Sequence, residues 1–462
     1  MTTVRNRDTL TDHGNRQARE ALLDAAAAAL DAVHPRRTVP AAVERDDARL
    51  RVGDRTYDLN AVEDVYVIGG GKGSAAVAAE LDTLLGDRID DGVVAEKATW
   101  SDRSRSTGAV AVVAAGHPLP DKTSNAVGRR ALTLADAAGP NDLVLAPITG
   151  GASATLVAPA DGLSSADLAE TTDTLLSAGL RIEEINAVRK HCSASKGGRL
   201  AERIAPAATA TLVVVDEVAG EPWGPTVGDR TTYADALDVL TRHGLIDVVP
   251  PTVVDHLRRG RDGGEPETPT PADLATTDTH AVVLAGPADA PEAARDHAAE
   301  SGYTPLILST TVEGESGAVA TCLTAVADEV ATHGRPATPP CMLISGGETT
   351  VTVGDGDGDG GPNQEFALAA AVELADTDND HGADRPAITT LALGTDGTDG
   401  PTDVAGGLVD ATTVTRLSEA GFDARDHLHR HDTTPALRTV DDAVLTGPTG
   451  TNVMDLRLTL VA

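Results

Sequence analysis

Only three of the 462 residues are cysteine, Cys192, Cys322 and Cys341, and they lie far apart. That spacing builds neither a disulfide framework nor a zinc site. Aromatic residues are scarce as well, with two Phe, two Trp and four Tyr. No apolar run approaches the roughly 18 residues of a transmembrane helix. The opening Met1-Thr-Thr-Val-Arg-Asn-Arg-Asp8 lacks the apolar stretch of a secretory signal, so a soluble cytoplasmic protein is expected. Positive charge is short too: 37 Lys+Arg face 71 Asp+Glu, a formal net charge of −34. A nucleic-acid interface needs a basic face, so neither nucleic acid nor an anionic membrane is expected as a partner.

What is present supports folded domains. Hydrophobic residues make up 41% of the chain, enough for real cores, and the length fits about two to three domains. Five lysines stand beside 32 arginines. An acidic, lysine-poor surface resembles that of proteins from salt-saturated cytoplasms, where screening suppresses self-repulsion. Scarcity makes each lysine informative: Lys72, Lys97, Lys122, Lys190 and Lys196.

Short apolar runs alternate with amphipathic stretches, the pattern of an α/β protein. Strands are expected at Val65–Ile68, Gly92–Ala95, Val110–Ala114, Leu143–Ile148, Thr211–Val215, Ala281–Ala285, Leu306–Leu308, Met342–Ser345, Thr350–Val353 and Ile388–Leu393. Helices are expected at Asn15–Val33, Ser74–Leu85, Asn125–Ala138, Ser165–Ala178, Tyr233–His243, Ala290–Ser301, Ser316–His333, Gln364–Leu374 and Ala411–Ala420. The proline-rich, polar stretch Arg258–Ala275 reads as a linker between domains 1–257 and 276–462. Two tracts imitate metal sites. Gly354–Gly361 resembles the start of a calcium loop, but Phe366 stands where its bidentate glutamate belongs, which leaves a solvated turn. His427-x-His429-x-His431 lacks a surrounding strand pattern and reads as exposed histidines.

Four glycine-rich turns each follow an apolar run: Gly69-Gly-Gly-Lys-Gly-Ser74, Thr149-Gly-Gly-Ala-Ser153, Ser345-Gly-Gly-Glu348 and Gly394-Thr-Asp-Gly-Thr-Asp-Gly400. Missing Cβ atoms let backbone amides approach anionic oxygens, and two such turns in each half suggest an anionic ligand in an interdomain cleft. Gly69-x-Gly71-x-x-Ser74 with Asp90 is a degraded dinucleotide fingerprint, and a Walker loop is absent. Lys72 inside the turn suits phosphoryl transfer better. In Asn186-Ala-Val-Arg-Lys-His-Cys-Ser-Ala-Ser-Lys196, Arg189 can fork onto a small carboxylate while Lys190 and Lys196 add point charges. Asp216, Glu217, Glu348, Asp396 and Asp399 collect at strand ends, where they can hold a divalent ion or orient a hydroxyl.

These motifs resemble the class II glycerate 2-kinases with a C-terminal MOFRL domain. The resemblance runs from Val65 to Leu458. It is carried by Gly69–Ser74, Gly116-His-Pro-Leu-Pro-Asp121, Ile185–His191 with Ser195–Leu200, Ser345–Thr350, Asn363-Gln-Glu-Phe366, Gly394–Asp403 and Thr446-Gly-Pro-Thr-Gly-Thr-Asn452. It implies transfer of the terminal phosphate of ATP, with magnesium, to the 2-hydroxyl of D-glycerate. The implied fold is a Rossmann-like N-terminal domain and a smaller mixed-sheet domain facing an interdomain active-site cleft.

The resemblance also implies roles. Lys72 and Asp216 would be catalytic, and Arg189, Lys190, Lys196 and Ser153 would hold substrate. Gly70, Gly71, Gly150, Gly151, Gly346, Gly347, Glu348, Asn363 and Gln364 would hold nucleotide, with Asp396 and Asp399 on the metal. Two positions depart from the pattern. Pro362 replaces an arginine that many members have, and Trp223 replaces a serine in a shortened loop. A hydroxypyruvate reductase using a nicotinamide cofactor is the rival enzyme, and an inactive ligand-binding homologue is the rival without chemistry. A homo-oligomer is compatible with all three.

Overall fold

Val65-Tyr-Val-Ile-Gly-Gly70 is buried along its whole length, as a strand covered on both faces must be. The computed structural model describes residues 4–98, 105–217, 223–353, 358–381 and 386–462, so Gly354–Asp357 of the calcium-like tract lie outside it. The chain forms two units: residues 38–215 with 221–284, and residues 1–37 with 216–220 and 285–462.

The first unit opens with a meander of β1 (Val43–Asp46), β2 (Arg49–Val52) and β3 (Arg55–Asp58), which charge-rich four-residue strands concealed from the sequence reading. Its turns use positive φ at Asp47 and Gly53, as tight hairpins require. Then come β4 (Val65–Gly70), β5 (Asp91–Lys97), β6 (Arg105–Thr107), β7 (Val110–Ala115), β8 (Leu143–Ile148), β9 (Ala208–Val214) and β10 (Thr279–Ala285). They form one sheet in the order β10-β9-β8-β4-β5-β7-β6. Strands β9, β8, β4, β5 and β7 run parallel, so their carboxyl ends share one edge. Apolar clusters cover both faces, one around Val67, Leu81 and Leu145, the other around Ile68, Ala131 and Leu200. Helices Ser74–Leu85 and Lys122–Ala137 supply those layers.

The second unit holds β11 (Thr304–Glu315), β12 (Cys341–Thr350), β13 (Ile388–Gly394), β14 (Gly406–Asp410), β15 (Ala443–Val444) and β16 (Asp455–Val461), in the order β11-β12-β16-β13-β14-β15. β11 and β12 are parallel; the other pairs are antiparallel. Helix Arg16–Ala32, capped by the Asn15 side chain, belongs to this unit. Arg19 is wholly buried there. Its guanidinium reaches Asp410 at 2.8 Å and Asp442 at 2.8 Å, while Asp442 also accepts from His13 and Thr413.

Three expectations are corrected. The division at 257 and 276 does not follow the compact units, because residues 4–37 pack within the second and β10 completes the first sheet. Arg258–Ala275 is no linker. Its start ends helix Pro251–Arg261, Pro271–Leu274 is helical, and buried Thr268 donates to Asp229 at 3.2 Å. Residues 351–353 form no strand, since β12 runs unbroken from Cys341 to Thr350. Of the three histidines, His427 is buried in helix Ala424–His429, stacked on Phe422.

Candidate functional site

The shared carboxyl edge of β4, β5, β7 and β8 brings together residues distant in sequence. After β4 the chain turns through Gly71-Lys72-Gly73 into helix Ser74–Leu85. Gly71 has φ +111°, and a Cβ there would lie 2.0 Å from the Thr149 carbonyl oxygen, so no other residue fits. The Lys72 amide donates to the Gly150 carbonyl at 2.6 Å, which locks the first glycine turn onto the second.

The first turn does not cradle a phosphate. Gly70 is the last residue of β4, and the Gly71 amide donates to Ala95 at 3.0 Å. The amides at the helix start, Gly73 and Ala75, donate to the buried carboxylate of Glu96 at 3.0 and 3.1 Å. A carboxylate of the chain thus occupies the place where a helix N-terminus would hold an external anion. Glu96 was not anticipated, and its only sequence signal is an acid at the end of an apolar strand. Burial pushes its pKa up to about 7, against the lowering effect of three amide hydrogen bonds and Lys72. A raised carboxyl pKa makes folding take up a proton, so stability falls as pH rises from about 4.5 to about 7 through this group. Glu96→Gln is therefore expected to flatten melting temperature against pH in that window; thermal melts at constant salt check it, and an unchanged slope refutes it.

The second turn carries Gly150 and Gly151 into the short helix Ala152–Thr155. Gly151 has φ +84°, and a Cβ there would lie 2.8 Å from the His117 ring and 3.6 Å from Lys72 Cγ. Two residues on, Ser153 lines a small cavity with Pro120, Thr171, Thr172, Cys192, Arg189 and Lys196. Arg189 stands on helix Ile182–His191, and Lys196 follows that helix. The Lys196 ammonium donates to the Ser153 carbonyl at 2.7 Å and lies 3.4 Å from that of Leu156. Burial lowers its pKa well below the ordinary value, and Arg189 lowers it further. Burial also lowers Arg189 to about 10. Among the described residues neither cation has a carboxylate partner. Two enclosed like charges without a counter-ion form a site that an anion stabilises.

Lys190 is not part of that cavity. Its ammonium sits 3.0 Å from the buried Asp229 carboxylate, whose oxygens also take the Thr231 hydroxyl, so it serves the fold. Asp229 was missed because 39 residues separate the partners. Asp216, after β9, accepts from Asn452 at 3.0 Å.

In the second unit the glycines of Ser345-Gly-Gly-Glu348 lie within a strand. Gly346 and Gly347 lie inside β12, paired in register with Leu456 and Asp455. A Cβ on Gly347 would lie 2.2 Å from the Val312 carbonyl, so the glycine serves strand packing. Glu348 is exposed on the same strand. Gln364 is wholly buried, donating to Asp399 and Thr402 and accepting from Thr434 at 2.7 Å, out of a ligand's reach. Asp399 is a helix cap: it accepts the Asn363 and Gln364 amides at 3.0 and 2.8 Å and both side-chain amides. Burial raises it to about 7. Its oxygens are thus engaged, and among the described residues no three His, Cys, Asp or Glu are grouped to hold a metal. Asp396 accepts from Thr398 at 2.8 Å. Asn363 donates to Asp455 at 2.7 Å, while its buried Oδ1 has no partner among the described residues. Pro362 takes the first position of helix Pro362–His381, where a missing amide proton costs nothing. Trp223 packs against the apolar cluster that contains Ile148 and Leu156.

The dinucleotide reading loses its acid. Asp90 accepts the Val65 amide at 2.8 Å, at the opposite end of β4 from the glycine turn.

Similarity to known proteins agrees with this anatomy. Residues 21–258 match a family described as a domain of unknown function, DUF4147, and residues 341–455 match the MOFRL family. A glycerate 2-kinase of Pyrococcus horikoshii is 37% identical over 94% of this chain and 95% of its own length. A protein of Agrobacterium vitis, named provisionally as a hydroxypyruvate reductase, is 39% identical over 86% of this chain and 98% of its own. The crystal structure of glycerate kinase from Thermotoga maritima superposes with a TM-score of 0.78 at 32% identity, covering 96% of this chain and 99% of that one.

Proposed function

Because the chain belongs to the glycerate-kinase-like family built from DUF4147 and MOFRL domains, we propose that it phosphorylates D-glycerate on the 2-hydroxyl with ATP, giving 2-phosphoglycerate and ADP. The observation that carries this reading is the unbalanced pair Arg189–Lys196 beside Ser153, two residues from the Gly151 that packs near Lys72. We assign the carboxylate of glycerate to this pair as its counter-ion, with Ser153 beside it, and Lys72 to offset charge on the transferring phosphoryl. The first unit, with its parallel strands, we read as Rossmann-like. Asp216 we retain as an orienting carboxylate.

Magnesium, when bound, neutralises phosphate oxygens of ATP and usually needs only one or two protein ligands. Asp396 and the orphaned Asn363 Oδ1 are the groups that fit it, while Asp399 does not. Little base strength is demanded, because the transition state is loose and positioning dominates.

Phosphorus NMR of the product from ATP, magnesium and D-glycerate tests the reading. A 2-phosphoglycerate signal is expected. Mainly 3-phosphoglycerate, or NADH oxidation with hydroxypyruvate and no phosphorylated product, overturns it. The halophilic character is part of the same proposal: activity and melting temperature should rise together between roughly 0.1 and 2 M KCl as the Debye length shrinks toward about 3 Å. Melting that ignores salt speaks against it.

A further inference from the structure

The motif Gly116-His-Pro-Leu-Pro-Asp121 has so far no task. It leaves β7 at the same sheet edge as the Lys72 and Gly150 turns. Its ends are anchored: the Gly116 amide donates to Ser124 Oγ at 3.2 Å, Asp121 caps helix Lys122–Ala137, and Pro120 lines the Arg189–Lys196 cavity. Between those anchors the His117 ring lies on the backbone of Gly151. A Cβ at Gly151 would meet His117 Nε2 at 2.9 Å and Lys72 Cγ at 3.6 Å, so Nε2 and the lysine stem share one small volume that the glycine keeps open. Ser153, two residues further, already faces the cavity. His117 is therefore a neighbour of the phosphoryl-handling lysine, on a motif whose Pro120 lines the anion cavity, all within the first unit.

We propose that His117 is a catalytic residue, its Nε2 receiving the proton of the substrate hydroxyl during transfer. This rests on the kinase reading above. We place the substrate hydroxyl on the Lys72 side of Gly151, next to that nitrogen. The hydroxyl oxygen forms a bond to the terminal phosphorus, and the bond from that phosphorus to the bridging oxygen breaks. Its electron pair leaves on ADP. The hydroxyl proton passes to Nε2 and then to solvent.

Among the described residues, the ionisable groups on the elements around His117 are Lys72 in the turn, Lys97 and Glu96 at the end of β5, and Asp121 at the helix start. β8 and the helix Ala152–Thr155 contribute none.

The test is the pH profile of kcat, at saturating ATP, magnesium and glycerate, for the wild type, His117→Asn and His117→Gln. Both variants are expected to lose about 10²-fold in kcat, the usual contribution of a positioned base, with KM for glycerate within about threefold. The rise of kcat with pH that His117 controls should disappear from both. A limb that persists in the variants belongs to Glu96 or the nucleotide and overturns the proposal, as does kcat within about fivefold of wild type. Glycerate should also protect His117 of the unmodified enzyme from carbethoxylation, read by peptide mass spectrometry. An unprotected ring overturns the proposal even where a variant folds badly. Failure of the wild type to form 2-phosphoglycerate overturns the kinase reading instead.

Discussion

Alanine in place of Lys72 is expected to lower kcat about 10²–10³-fold, the loss typical of removing one preorganised electrostatic donor. KM for glycerate should change far less, because the substrate carboxylate is assigned to Arg189 and Lys196. The fold should survive. What holds residue 72 is its amide on the Gly150 carbonyl, and alanine keeps that bond. Arginine should rescue poorly, since a planar fork does not replace a compact ammonium between two glycine turns. Lys122, exposed in the first turn of helix Lys122–Ala137, is the control, and its alanine variant should be near neutral. Steady-state kinetics decide the matter: near-normal kcat in Lys72→Ala together with a collapse in Lys122→Ala would reassign the lysine.

The largest effect on stability is expected at Arg19. Its guanidinium is wholly buried between Asp410 and Asp442, with a further bond to the Leu10 carbonyl at 3.1 Å. Arg19→Met fills most of the volume but leaves the buried Asp410 carboxylate without its cation, while Asp442 keeps Arg416 and His13. Breaking a buried ion pair from one side costs about 3–5 kcal/mol. For a unit of this size roughly 2–4 °C accompanies each kcal/mol, so its melting temperature should drop by about 10 °C. Differential scanning calorimetry reads this directly. The neighbouring Arg16→Ala removes only an exposed pair with Glu20 and should shift melting by about 1 °C at most. Equal effects from the two substitutions would mean the buried network contributes nothing beyond a surface pair.

Much of the fold was legible from periodicity. Helices Ser74–Leu85 and Ser316–His333 and strand Leu143–Ile148 fall where the apolar pattern puts them. The meander at Val43–Asp58 was not, because charge alternation in four-residue strands leaves too little pattern to recognise. In the site, the lysine in a glycine turn and the Arg189–Lys196 pair carried readable chemistry, and three of the four substrate residues do meet in one cavity. The errors share one cause. Glu96 fills the helix start after Gly73, Asp399 fills the one before Gln364, and Val312 demands the glycine at 347. Each partner is brought by the sheet from more than 20 residues away, so local composition reads such glycines and acids as ligand groups. Asp455, opposite Gly347 on one side and Gly394 on the other, was invisible for the same reason.

The strand order β11-β12-β16-β13-β14-β15 bears on how the chain is made. β16 lies between β12 and β13, bonded along both edges, although it is the last strand to leave the ribosome. Until residues 455–461 follow, β12 and β13 have unpaired inner edges, for about 5–20 s at roughly 5–20 residues per second. Helix Arg16–Ala32 waits about 20–90 s for Asp410 and Asp442 to neutralise Arg19. The first unit needs nothing beyond Leu284 and can be complete well before. The nascent protein therefore spends its synthesis as one finished unit flanked by a helix-forming segment and an open half-sheet.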